Sequence, residues 1–262
     1  MDLQLTGKRA IVSGSTKGIG LAIATSLARE GAQVVINGRT AGSVDAALAG
    51  IRAAVPGATL VGFAGDLGEA ECVAGLVAQH PDTDILVNNL GRYGAQPFET
   101  SDDAEWETYL QVNVMSGVRL SRAYLPGMKQ RNWGRIVFIS SESGIQIPAE
   151  MIHYGVTKAA QLALSRGLAE TCAGTGVTVN AVLPGPTRSE GVNNFVRQLS
   201  GGATFEDFER DFFRKVRPSS LLRRFEAPEE IAHMVTYVCS PLSSGTNGAA
   251  LRVDGGVVRS CF

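Results

Sequence analysis

The chain has no long apolar run. No window approaches the ~18 apolar residues that a membrane span requires. Its first residues, MDLQLTGKRAIVSG, hold no basic segment leading into a long apolar stretch. No secretory leader is therefore expected, and the expected location is the cytoplasm. Cysteine is scarce: Cys72, Cys172, Cys239 and Cys261 are scattered with no C-x-x-C pair. That argues against a disulfide framework and for idle thiols in a reducing compartment. His80, His153 and His233 are equally scattered, so no metal site is expected. Charge of one sign is also lacking. Lys+Arg number 24 against 25 Asp+Glu, a formal net charge of -1. Such a balance gives no general attraction to nucleic acid or to an anionic membrane. No linker, repeat or low-complexity tract interrupts the 262 residues, so one domain over 1–262 is the economical expectation.

What is present is a 44% hydrophobic content and 31 glycines, enough for a sizeable core with many tight turns. Short β-branched runs recur: RAIVSG (9–14), AQVVING (32–38), ATLVGFAGD (58–66), DILVNN (84–89), GRIVFISS (134–141), GVTVNAVLPG (176–185) and ALRVDGG (250–256). They are continuous rather than alternating, the pattern of strands buried on both faces. Helix-like stretches such as GLAIATSLAREG and KAAQLALSRGLAETC lie between them. The alternation predicts an α/β fold, a doubly wound sheet of about seven parallel strands with helices on both faces. One stretch, 186–227, breaks the rhythm and is expected to be an inserted substrate lid. In it FEDFERDFFRKV places Phe205, Phe208, Phe212, Phe213 and Val216 on one helical stripe. A surface helix packing on the body is the plainer reading, and both can hold.

The first strand runs directly into Gly14-Ser15-Thr16-Lys17-Gly18-Ile19-Gly20, which opens the first helix. Glycine at 14, 18 and 20 lets the backbone approach a pyrophosphate, and the helix N-terminus turns free N–H groups toward it. In this strand–turn–helix context the loop points to a dinucleotide. An NAD site usually places a carboxylate at the end of the second strand. Here that strand ends VVINGRT, with Gly38 and Arg39 in its place. Arg39 suits a 2′-phosphate, and Lys17 adds a second cation, so NADP(H) is preferred, with NAD(H) as the second candidate.

Further motifs follow in order: GDL (65–67), NNLG (88–91), QVNVMSG (111–117), Ser141 thirteen residues before Tyr154, Tyr154-x-x-x-Lys158, and PGPT (184–187). Together with the glycine loop they resemble the short-chain dehydrogenase/reductase family over essentially the whole chain, which implies a Rossmann fold. The resemblance implies that Asp66 and Leu67 lie beside the adenine, and that Asn89, Leu90 and Gly91 flank the cofactor ribose. It implies that Gly185 and Thr187 sit beside the nicotinamide amide, and that Asn113, Ser141, Tyr154 and Lys158 form the catalytic set. Two positions depart from the family pattern. Leu90 replaces the usual alanine, and Ser13 stands where threonine is commoner.

The residue types suit carbonyl reduction or its reverse. A carbonyl needs a hydride at carbon and a proton at oxygen; NADPH carries the first and Tyr154 the second. Lys158, one helical turn on, is expected to lower the tyrosine pKa and to reach the ribose. Ser141 is placed to hydrogen-bond the substrate oxygen. Asn113 would offer its amide or a freed carbonyl toward Lys158. His153 points about 100° away from Tyr154 on a helix and is read as structural. The expectation is an NADP(H)-dependent oxidoreductase interconverting a small-molecule carbonyl and a secondary alcohol. A 3-oxoacyl thioester on acyl carrier protein is one candidate substrate. Family members with that role carry a basic residue where this chain has Thr175. The aromatic lid suggests an apolar substrate. The alternative is a catalytically silent dinucleotide-binding sensor of the same fold. Extra apolar residues in QVNVMSGVRL and KAAQLALSRGL predict a homo-oligomer, a tetramer by family resemblance.

Overall fold

The strands form where apolar residues face both ways. In β1 (Arg9–Val12), Ala10 and Val12 join one buried cluster while Ile11 joins another. In β4 (Ile85–Asn88), Ile85 and Val87 divide from Leu86 in the same way. Alternate side chains leave opposite faces of a strand, so each face needs its own cover. On one face lie α1 (Gly18–Arg29), α2 (Ala41–Ala54) and α8 (Pro228–Cys239), through Ile23, Leu27, Val44 and Val235 among others. On the other lie α3 (Ala70–Gln79), α5 (Ser116–Gln130) and α6 (Ile152–Thr171), through Leu76, Leu120, Met128 and Leu162. This computed structural model describes residues 1–188 and 204–261.

The remaining strands are β2 (Gln33–Gly38), β3 (Leu60–Ala64), β5 (Gly134–Ile139), β6 (Val177–Pro184) and β7 (Ala250–Val253). All seven are parallel, in the order β3-β2-β1-β4-β5-β6-β7. The chain winds outward from β1 in one direction and from β4 in the other. The crevice opens where these two windings part, at the carboxyl ends of the strands. The edge strand β3 leaves Val61 exposed, which the continuous apolar run did not foretell. An edge has only one strand neighbour and is less fully covered.

The stretch before α5 is less regular than a plain helix. After α4 (Asp103–Tyr109) comes a π-helical turn, Leu110–Met115, which carries Asn113. Such wide turns loosen the i→i+4 ladder and leave carbonyls available to other donors. In 186–227 the described part contains α7 (Phe205–Lys215), capped by Thr204, whose hydroxyl accepts the Asp207 N–H. The phenylalanine stripe is real but closes on a residue outside it. Phe205, Phe208, Phe212 and Phe213 surround Phe225 with ring centroids 5.0–6.3 Å away. Val216 does not join them: the helix ends at Lys215 and Val216 is exposed. The two ends of the segment are zipped together by a bridge between Thr187 and Glu226. The rest of the expected lid lies outside the described residues. Among the described residues, no helix is long and apolar enough to cross a membrane.

Candidate active site

The glycine loop is shaped by short polar side chains behind it. Ser15 Oγ donates to Val12 O and accepts the Asn37 N–H, while Asn37 Oδ1 accepts the Gly14 N–H. Asn89 Nδ2 donates to Ser13 O and Gly14 O. Ser13 Oγ accepts the N–H groups of Asn89 and Leu90, so the hydroxyl at this departure from the family pattern ties β1 to the end of β4. Gly14 has φ +61°, a conformation that side chains strain to adopt. A Cβ on Gly20 would lie 2.4 Å from both Asn89 Nδ2 and Gly14 O, so only glycine allows α1 to start this close to the loop. Helix α1 has no side-chain cap, and its first ladder bond is Leu21 N–H to Lys17 O. The N–H groups of Gly18, Ile19 and Gly20 therefore precede the ladder, where an anion is favoured.

The cleft encloses about 580 Å³. Of the expected residues, it is lined by Gly14, Lys17, Gly18, Ile19, Gly20, Asn89, Leu90, Gly91, Ser141, Tyr154, Lys158, Gly185 and Thr187. Others stand away from it. Ser15 and Asn113 are buried behind the lining, and Thr16 packs where a Cβ on Gly38 would sit. The Leu67 side chain is fully buried in the core, which leaves its backbone to lie beside an adenine. Asp66 Oδ1 accepts the Gly68 N–H, closing the turn after β3. Arg39 is exposed at the end of β2, and its guanidinium holds no hydrogen bond or ion pair among the described residues. A dinucleotide fits this donor set: backbone N–H groups for a pyrophosphate and a free guanidinium at the far end.

Tyr154 and Lys158 lie one turn apart on α6, below Ser141. The loop carrying Ser141 sits tightly on this helix. A Cβ on Gly144 would come within 3.0–3.1 Å of the Lys158 backbone, and one on Gly155 within 2.5 Å of Ile147. Ser140 Oγ donates to Lys158 O, and Ser141 Oγ accepts the Ser143 N–H. Lys158 is buried, its Nζ donating to Ile139 O at 2.8 Å and to Gln161 Oε1 at 3.2 Å. Burial pulls its pKa down to about 7. The Tyr154 hydroxyl is pushed up to about 12 by burial, opposed by a hydrogen bond with Ser141. This differs from the lowering expected from the lysine. Desolvation dominates, and Lys158, whose own pKa is pulled down by burial, carries no charge where the tyrosine would ionise.

Asn113 is not aimed at the cleft. Its Oδ1 accepts the Arg92 N–H, and its Nδ2 donates to Arg92 O and Thr157 Oγ1. It pins the loop after β4 to α6. Its backbone carbonyl is taken by Gln161 Nε2 at 2.6 Å. Gln161 was missed in the sequence, although three residues after Lys158 is a same-face position on a helix. His153 is structural, as expected: it is buried against Tyr109, with centroids 4.2 Å apart. Arg92 pairs with Glu105 through both carboxylate oxygens. Tyr93 lines the cleft. Glu142, beside Ser141, is buried and accepts from Arg217 Nε at 3.0 Å, tying the segment after α7 to the loop after β5. Among the described residues, no group of His, Cys, Asp and Glu could hold a metal ion.

A doubly wound parallel sheet with such a cleft at its carboxyl edge is the architecture of a dinucleotide-binding protein. The family profile described as enoyl-(acyl carrier protein) reductase matches residues 14–258. The Bacillus subtilis (strain 168) protein named uncharacterized oxidoreductase YvaG is 49% identical over 100% of both chains. D-beta-hydroxybutyrate dehydrogenase of Cupriavidus necator is 33% identical over 97% of this chain and 99% of that one. A solved structure of L-sorbose reductase from Gluconobacter frateurii, complexed with NADPH and L-sorbose, superposes with a TM-score of 0.93. It is 30% identical and covers 99% of this chain and 100% of its own. The chain belongs to the short-chain dehydrogenase/reductase family and is an oxidoreductase acting on alcohol and carbonyl groups.

Proposed function

We propose that the chain interconverts a small-molecule ketone and a secondary alcohol with NADP(H), using Tyr154 as proton donor and acceptor. The observation that carries this reading is the placement of Ser141, Tyr154 and Lys158 on one wall of the cleft whose opposite end is the glycine loop. NADPH supplies the hydride when bound. The loop N–H groups and Lys17 hold its pyrophosphate, and Arg39 holds its 2′-phosphate, where an NAD site would offer a carboxylate. Gly185 and Thr187 hold the amide end. Ser141 orients the substrate oxygen beside the Tyr154 hydroxyl, and Lys158 donates to the ribose below it.

The described part of 186–227 acts as a lid hinged at Thr187 and Glu226, with Arg217 on Glu142 as its latch. Its phenylalanines do not favour an apolar substrate, because they are spent on Phe225 and none lines the cleft. The lining beside Tyr154 includes Tyr93 and Ser141 instead. With the likeness to the L-sorbose reductase, this favours a polar substrate such as a keto sugar over an acyl thioester. The exposed Leu110 on the turn before α5 and Val156 on α6 are left for a second copy of the chain.

The test is a carbonyl panel of keto sugars, 3-oxoacyl thioesters and simple ketones, with NADPH and NADH oxidation followed side by side. Reduction of keto sugars with NADPH, lost in Tyr154→Phe, is the expected outcome. Equal rates with NADH, or a preference for acyl thioesters, would overturn the cofactor or the substrate assignment respectively.

A further inference from the structure

Three elements meet behind Tyr154: α6, the π-helical turn and the end of β5. One side chain joins them. Gln161 is 1% exposed, accepts from Lys158 Nζ with its Oε1, and donates to Asn113 O with its Nε2. The amide can point only this way, because an ammonium only donates and a carbonyl only accepts. A polar side chain this deep loses its hydration, and these two bonds are its compensation. An apolar residue would cover the same helix face without that cost. Lys158 has three N–H groups and gives one to Ile139 O and one to Gln161. One remains for the cleft that it lines.

We propose that Gln161 is a positioning residue for the reaction, holding the Lys158 ammonium under Tyr154 by bridging it to the Asn113 carbonyl in the π-helical turn. This rests on the roles given above to Tyr154 and Lys158. The bridge does two things. It fixes Nζ from the side away from the cleft, so that its third N–H points at bound ribose and the tyrosine oxygen. It also gives the Asn113 carbonyl, inside the π-helical turn, a side-chain donor. Without it, the ammonium keeps one acceptor and can swing, and Asn113 O loses its donor.

Two substitutions separate this role from simple packing. Gln161→Leu fills the space but bonds neither partner. Gln161→Ala opens a space lined by Lys158 Nζ and Asn113 O, where a water can take both bonds. Positioning predicts that Gln161→Leu lowers kcat about 10-fold or more, the loss of one hydrogen bond to a charged group, with a smaller effect on KM. It predicts that Gln161→Ala keeps more of kcat than Gln161→Leu while having the lower Tm. Packing predicts the reverse order, with activity following Tm, and that result would overturn the proposal. If Gln161→Leu does not fold, the unbranched Gln161→Met takes its place.

A second readout does not depend on turnover. An NMR titration of the Lys158 side chain in wild type and Gln161→Leu should show a lower pKa in the variant, which lacks one acceptor for the ammonium. Tyr154, on the same helix, is the titratable group facing it; no carboxylate pairs with it among the described residues. An unchanged titration would sink the bridge. Tyr154→Phe assayed alongside keeps the two readings apart. Full activity there would refute the catalytic reading, while the lysine titration would still decide on Gln161.

Discussion

At the amino end of the sheet Arg9 and Arg131 share Asp82 and Asp84. Arg131 lies 2.9 Å from Asp82, and Arg9 lies 3.4 Å from Asp84. Arg135, buried at the start of β5, gives its guanidinium to the carbonyls of Gly134, Gly176 and Ser240. At the carboxyl end the buried charges are treated differently. Among the described residues Lys158 has two neutral acceptors and no carboxylate. Glu226, buried behind the Gly185 loop, accepts the Gly185 N–H there, and burial raises its pKa to about 7. At the amino end the surface charges pair and the buried Arg135 is met by carbonyls; at the carboxyl end Glu142 pairs with Arg217, while Lys158 and Glu226 are buried without an ion pair among the described residues. An ionisable group without a counter-charge is easily shifted and ready for a proton or a ligand. Lys158 is the buried group without a counter-charge that lines the cleft.

The largest test of this contrast is Tyr154→Phe, which removes one oxygen from the carboxyl end. The expected loss in kcat is about 10²–10⁴-fold, as for removal of a general acid, with Tm almost unchanged. Steady-state NADPH oxidation and a melting curve measure both. Lys158→Met comes next and should stabilise the fold while destroying activity. The folded pKa of Lys158 is lowered from 10.5 to about 7. Between those values the unfolded chain holds a proton that the folded chain has released, so wild-type stability rises with pH through the window. Below pH 7 the folded state carries the full cost of a buried ammonium. The gain from Lys158→Met should therefore be greatest at pH 6, on the order of a few kcal/mol, and should fade toward pH 10. Urea unfolding at the two pH values decides it; an equal gain at both would break the contrast.

Arg39→Ala should follow, lowering the NADPH-to-NADH ratio of kcat/KM by about 10–100-fold, the worth of one or two charge-assisted bonds. A ratio that did not move would remove Arg39 from the cofactor site. The smallest effect belongs to the other end of the sheet. Asp82→Ala breaks two half-exposed ion pairs and should cost less than about 1 kcal/mol, with kcat unchanged. A large loss of activity there would mean that the two ends are coupled.

The strands were readable because a run such as VTVNAVLP can be buried only between two layers, and β6 is buried along its whole length. The glycine loop was readable because strand, turn and helix start are consecutive in the chain. Tyr154, Lys158 and Gln161 are also close in sequence, but only the first two were recognised. Nothing in the linear order says that Asn113, 48 residues earlier, would present a carbonyl to Gln161. The aromatic stripe of α7 was visible, yet its partner Phe225 lies beyond the helix, so the stripe was taken as a wall for substrate. Leu67 was assigned to the adenine by motif, while the fold spends its side chain on the core.

Period and turn chemistry are local, and they determined the sheet, its two helical layers and the glycine loop from the amino-acid sequence alone. Desolvation and side-chain pairing depend on which distant segments close over a group. Only the tertiary structure could decide that Tyr154 is pushed toward 12, that Lys158 falls toward 7, and that a glutamine from its own helix holds that lysine in place.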